Sequence, residues 1–245
     1  MKLTEIKLQY KASENIGCAI PVIIVAAGSS QRMNGQNKLF FELLGEPVLV
    51  RTIKKFENSP YISRIIVVTR TEDINEVQLL AEKYGLNKVT DIVEGGNSRQ
   101  ASVMCGIKRL SKNEDAVLIH DGARPFVDIS IIEDCAETLY RSDAVVCAVK
   151  IVDTIKLADD NGVVTGTLDR SKLYAAQTPQ GVKVSLYKKA LEKFTDTESF
   201  TDDASIMEEA GYSVKIVNGA RHNIKITTPS DLEFAEMLLR GEKDL

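Results

Sequence analysis

The 245-residue chain carries 31 Lys and Arg against 35 Asp and Glu, a net charge of −4, with 44% apolar and 27% charged residues. These are the proportions of an ordinary folded protein and exclude a disordered or membrane class; the slight acidic balance excludes a nucleic-acid partner gripped by a broad basic surface, so any anion site must be local. Cys18, Cys105, Cys135 and Cys147 form no C-x-x-C pair and have no His at metal-ligand spacing, which argues against a zinc centre or a disulfide framework.

Residues 1–20 read as an N-terminal extension ahead of one domain spanning 21–245. They lack the apolar core of a signal peptide and no run approaches a bilayer span, so the expectation is a cytoplasmic protein with no membrane partner. Val22 to Ala26 is then a short apolar run that changes abruptly into Gly28, Ser29, Ser30, Arg32, Gly35 and Lys38. That change suits a buried strand feeding a loop at a sheet edge, where backbone N–H groups and cationic side chains meet phosphate oxygens. An ordinary strand-to-helix loop with solvated charges would read the same way.

Downstream, helical periods over Pro47–Asn58, Ile74–Tyr84, Ser98–Leu110 and Ile129–Arg141 alternate with strands over Ile65–Thr69, Lys88–Val93, Ala116–His120 and Ala144–Val149. The pattern predicts an α/β fold, Rossmann-like, with a mostly parallel central sheet flanked by helices. Thr154–Ala158 and Val163–Leu168 then flank Asp159-Asp160-Asn161-Gly162, an Asn-Gly hairpin signal that interrupts the alternation and marks a protruding β-arm at about 151–172. A lone two-stranded arm is marginal in water, so it packs on a second copy of the chain or on its own domain. Lys183–Phe194 is helical. Thr201-Asp202-Asp203 can cap the next helix with the Thr201 hydroxyl, Val214–Val217 and Lys225–Thr227 read as strands, and Thr228-Pro229 opens a last helix to about Arg240.

The opening loop fails both common phosphate patterns. Gly28 is not followed by the spacing of G-x-G-x-x-G, and no Gly-Lys-Ser/Thr precedes a helix, which moves hydride transfer and P-loop hydrolysis down the list of candidate chemistries. What remains, A-A-G-x-x-x-R-M with Lys38, resembles the signature loop of nucleotidylyltransferases. With Glu94-Gly95-Gly96-Asn97-Ser98-Arg99, His120-Asp121-Gly122-Ala123-Arg124-Pro125, Gln177-Thr178-Pro179-Gln180, Thr201-Asp202-Asp203 and Asn223-Ile224-Lys225, in this order, the chain resembles the 2-C-methyl-D-erythritol 4-phosphate cytidylyltransferases from about Pro21 to Arg240. Ribitol-5-phosphate cytidylyltransferases share the scaffold, and a nucleotide-binding module without turnover would keep it too.

The resemblance implies attack of a sugar-alcohol phosphate on the α-phosphate of CTP, with Mg²⁺ as cofactor. No general base is needed, because a phosphate monoester has its second pKa near ~6. Repulsion is the obstacle, roughly 4 kcal/mol for two unit charges ~4 Å apart at an effective dielectric of about 20. By resemblance, Arg32, Lys38 and Lys225 supply the catalytic cations. Ala26, Ala27, Gly28, Gly95, Gly96 and Ser102 surround the nucleotide, and Asp121 places the metal. Arg124, Thr178 and Thr201 contact the acceptor phosphate, as do Thr154 and Arg170 from the arm of a homodimer partner. Ser30, where the family often has glycine, and His222, where an acidic residue is expected, depart from the pattern.

Overall fold

The computed structural model describes residues 19–28, 37–194 and 200–241. At its centre is β1 (Ile20–Val25), lying between parallel β4 (Ile62–Thr69) and parallel β6 (Ala116–Asp121). Its apolar run is continuous because both faces of the sheet are covered. Ile23 packs with Ile66, Val68, Val117 and Ile119 on one face, and Val22 and Ile24 with Ile65, Val67 and Leu118 on the other. With β5 (Val89–Glu94), β7 (Ala144–Lys150), β10 (Tyr174–Lys183) and β11 (Val214–Asn218), the sheet has seven strands in the order β11-β7-β10-β6-β1-β4-β5.

Every neighbouring pair is parallel except those of β10, which runs antiparallel to both β6 and β7. The mostly parallel α/β expectation therefore holds, with one strand that the pattern did not reveal. Thr178, Pro179 and Gly181 interrupt any apolar period in β10. The glycine is a packing requirement, since a Cβ at Gly181 would lie 2.8–2.9 Å from Leu118, Leu139 and Val145. A second departure lies at Lys225–Thr227, which forms no strand but is coil tied down by the Ile226 N–H donating to Ala123 O at 2.9 Å.

The helices follow the predicted periods with shorter ends: α1 (Val48–Glu57), α2 (Ile74–Lys83), α3 (Arg99–Ile107), α4 (Ile129–Tyr140), α5 (Val184–Leu191), α6 (Asp203–Glu209) and α7 (Pro229–Gly241). Ser98 caps α3 by accepting from the Ala101 N–H at 3.0 Å. At α6 the capping side chain is Asp202, which accepts from the Ser205 N–H at 2.9 Å, and not Thr201. A carboxylate one residue closer to the helix reaches the free N–H groups and suits the positive end of the dipole.

Two short hairpins complete the fold, β2 (Glu42–Leu43) with β3 (Glu46–Pro47), and β8 (Lys156–Ala158) with β9 (Val164–Thr167). The second is the expected arm. Its strands pair only with each other, and Leu157, Val163 and Val164 are 48–60% exposed. Packing on its own domain would have covered those side chains.

Beneath the sheet's amino end, Arg64 on β4 donates to both oxygens of Glu114, at 2.8 and 2.7 Å, and to Asp91 at 2.8 Å. The Arg64 hydrogen bond outweighs burial and, helped by the Ser111 N–H, lowers the Glu114 carboxyl from 4.5 to about 2. A depressed folded-state pKa stabilises above the unfolded value and loses that contribution as pH falls towards the folded value. Urea midpoints of the native protein and Glu114→Gln are therefore expected to differ above pH 4.5 and to converge as pH drops to about 2.

Candidate active site

In the sheet, the chain runs outward from β1 through β4 to β5 and then crosses back to β6 on the other side of β1, so the strand order reverses at β1. Open α/β sheets leave a crevice outside the carboxyl ends of the strands at such a switch point. Here that crevice is a cavity of about 490 Å³ lined by Ala27 and Gly28 after β1, Lys38 and Leu39, Gly96 to Arg99 at the start of α3, Ser102, Asp121 at the end of β6, and Lys225. Val25 lies in register with both Val68 and Asp121, so the backbone ladder sets the distance between the Ala-Ala-Gly turn and the carboxylate.

Asp121 is buried and faces three cations: Lys225 Nζ at 3.0 Å and Arg124 Nε at 3.4 Å from Oδ2, and Arg99 Nε at 3.7 Å from Oδ1. Burial alone would raise its carboxyl, but Lys225, Arg99 and Arg124 together hold it well below the usual carboxylate range. Its backbone N–H donates to Thr178 Oγ1 at 3.1 Å, and that hydroxyl lies 3.0 Å from His120 Nδ1. The Arg124 carbonyl, 3.1 Å from His120 Nε2, can only accept, so Nε2 carries the proton of the neutral ring and Nδ1 accepts from the Thr178 hydroxyl. Full burial pushes His120 down to about 4, which keeps it neutral and suited to this relay.

Lys225 is placed by Asn223, a residue with no exposed surface. The Asn223 side-chain amide donates to Thr178 O at 2.9 Å and Gln177 Oε1 at 3.3 Å, and its backbone carbonyl accepts from Arg124 Nη1 at 2.8 Å. The loop bearing the lysine is thus fastened to β10.

Comparison with known proteins decides the family. The model of "IspD: 2-C-methyl-D-erythritol 4-phosphate cytidylyltransferase" matches residues 20–241. The chain belongs to this family. Proteins named 2-C-methyl-D-erythritol 4-phosphate cytidylyltransferase from Bacillus licheniformis and Clostridium novyi are 46% and 44% identical, covering 91% and 90% of this chain and 96% of each relative. The solved structure of the 4-diphosphocytidyl-2C-methyl-D-erythritol synthase from Anaerococcus prevotii superposes with a TM-score of 0.81 at 34% identity, over 91% of this chain and 97% of that one. The chain is accordingly a nucleotidyltransferase of the cytidylyltransferase type.

Of the residues singled out by the cytidylyltransferase pattern, Ala27, Gly28, Lys38, Gly96, Ser102, Asp121 and Lys225 line the cavity. Ala26 and Gly95 lie just behind it: Ala26 is 2% exposed, and a Cβ at Gly95 would sit 2.4 Å from Ala27 Cβ and 2.9 Å from Ser102 Oγ. Gly95→Ala is expected to push Ala27 towards the nucleotide and to cost about 1–3 kcal/mol through overpacking. Calorimetric titration with CTP should show weaker binding, together with a lower melting temperature.

Arg124 stands beside Asp121 rather than on the cavity lining. Thr178 is 4% exposed and its hydroxyl is committed to Asp121 and His120, so its place is beneath the site. Thr154, Arg170 and Thr201 do not line the cavity; Arg170 donates within the arm to Val152 O at 2.6 Å. Arg32 and Ser30 lie outside the described residues. His222, the second departure from the family pattern, pairs with Asp128 through an Nε2 to Oδ2 contact of 2.9 Å, on the exposed surface.

Sequence reasoning missed Arg99 as a site residue. It lines the cavity and joins Asp121 to the buried Asp203. Its neighbours Gly96 and Ser102 are singled out in the sequence, whereas Arg99 is only part of the quoted Glu94–Arg99 motif and has no role of its own.

Proposed function

We propose that this chain joins CTP and 2-C-methyl-D-erythritol 4-phosphate to give 4-diphosphocytidyl-2-C-methyl-D-erythritol and pyrophosphate. The observation that supports it most is the meeting of Lys38, Lys225 and Asp121 in one cavity at the switch point of a chain that belongs to this family. The names of the relatives favour methylerythritol phosphate over ribitol phosphate as the acceptor.

In this reading the triphosphate lies along the Ala27-Gly28 turn, where the backbone approaches closely, and the nucleoside towards Gly95, Gly96 and Ser102. The acceptor phosphate arrives already ionised, so the residues move no proton. Lys38 and Lys225, joined by Arg32 on the strength of the motif, offset the charge that accumulates on the α-phosphate as the acceptor oxygen enters and pyrophosphate leaves in line. Arg124 fixes Lys225's loop through Asn223 O and, after Lys225 and Arg99, helps keep Asp121 ionised.

Asp121 suits a hard divalent cation of the Mg²⁺ kind, which takes one or two carboxylates and completes its shell with phosphate oxygens and water. Among the described residues no group of three or more His, Cys, Asp and Glu could hold a metal by itself. Asp121 Oδ1 accepts no hydrogen bond there and is the oxygen left for the ion. When bound, the cation supplies Lewis-acid neutralisation of the triphosphate.

The uncovered apolar side chains of the arm support a homodimer in which Thr154 and Arg170 of one subunit reach the acceptor bound by the other, while Arg124, Thr178 and Thr201 act within the subunit. The remaining readings are a single catalytic domain over 21–245 following the residues 1–20 extension, and a cytoplasmic location. No helix among the described residues is long and apolar enough to cross a membrane. A pyrophosphate-release assay with CTP and Mg²⁺ tests the activity. Product with 2-C-methyl-D-erythritol 4-phosphate is expected, and a clear preference for ribitol 5-phosphate would overturn the acceptor assignment.

A further inference from the structure

Asp203 has no exposed surface, and cytidylyl transfer as described gives it no task. Both of its oxygens are engaged: Oδ1 accepts from Tyr187 Oη at 2.8 Å, and Oδ2 from Arg99 Nη1 at 2.7 Å. Tyr187 is itself fully buried, and the Asp203 N–H donates to Gln180 Oε1 at 3.0 Å, so the carboxylate is clamped at backbone and side chain. A buried carboxylate is costly unless paired, and here its cation comes from the cavity wall.

The other side of that arginine faces Asp121. Arg99 Nε stops 3.7 Å from Asp121 Oδ1, beyond hydrogen-bonding distance, whereas Oδ2 is already met by Lys225 at 3.0 Å. A guanidinium on a flexible stem would be expected to close that gap and dock on Oδ1 unless something held it back. The 2.7 Å bond to Asp203 does so.

We infer that Asp203, held by Tyr187, is a positioning residue that keeps Arg99 off Asp121 Oδ1 and so leaves that oxygen open to a divalent cation. The inference rests on Asp121 being the cation's carboxylate. Asp203→Asn keeps the shape of the side chain and removes its charge; Arg99 then docks on Asp121 and competes with the metal.

Mn²⁺ binding to the full-length CTP complex, read from the electron paramagnetic resonance signal of free Mn²⁺, tests this without relying on turnover. Loss of an outer partner of this kind weakens metal affinity by about tenfold or more, and Asp203→Asn is expected to show that loss. Adding Arg99→Gln to the same chain should restore affinity to within about threefold of the native protein, as the competing charge is gone. Unchanged Mn²⁺ affinity in Asp203→Asn, or a double variant as weak as the single one, overturns the inference. Asp121→Asn separates the two assignments: if it leaves Mn²⁺ binding intact, the metal assignment itself fails. Should the single variant not fold, Tyr187→Phe, which removes the hydroxyl holding Asp203, is read in its place: weaker Mn²⁺ binding that added Arg99→Gln restores supports the inference, and native binding overturns it.

Discussion

Lys225→Ala is expected to lower kcat by about 10²- to 10³-fold, the scale seen when one preorganised donor to a transition-state charge is removed. The fold should tolerate the change. The lysine side chain is 39% exposed, and its loop is fastened by Asn223 and Ile226 rather than by the ammonium group. Asp121 keeps Arg124 at 3.4 Å and Arg99 at 3.7 Å, so no bare buried carboxylate remains. Ground-state CTP binding should fall far less than kcat, because charge builds at the α-phosphate only during transfer. Single-turnover measurements with saturating CTP check this separation. A fall in kcat of less than about tenfold, or equal losses in affinity and rate, would remove Lys225 from the catalytic cations.

Mixed dimers of Lys38→Ala and Arg170→Ala subunits are expected to recover activity that neither variant has alone. Lys38 lines the cavity of its own subunit, whereas Arg170 sits on the arm and does not. If each active site takes its lysine from one chain and its arm from the other, a heterodimer contains one doubly damaged site and one intact site. Isolated heterodimers should therefore reach about half the native rate, since in a twofold-symmetric assembly the two sites are built by the same exchange. Arg170→Ala by itself should raise KM for the alcohol phosphate and leave CTP affinity largely intact. Verified heterodimers with no recovered activity would show that each subunit builds its site alone.

The sheet centre was legible in sequence because β1, β4 and β6 are buried on both faces and had to be written as apolar runs. Lys38 and Asp121 were found through motif resemblance; the Val25 to Asp121 register sets the Ala-Ala-Gly turn against Asp121, and Lys38 lines the same cavity. Arg99 and Asp203 were quoted within motifs but given no joint role. They lie 104 positions apart, at the starts of two helices, and no local period connects them. Thr178 is an acceptor contact in the sequence reading, and the structure adds that its hydroxyl also serves His120 and Asp121. Only the hydrogen-bond directions reveal that.

By itself, the sequence determined the α/β alternation and the hairpin, since these depend on short-range patterns of apolar and turn-forming residues. The tertiary structure alone decided that β10 inserts antiparallel between β6 and β7, that Lys225 rides on coil held by Asn223, and that Arg99 is shared between Asp121 and Asp203. Each is a long-range pairing. Its strength comes from burial and from satisfying polar groups away from water, and neither condition can be read from neighbours in the chain.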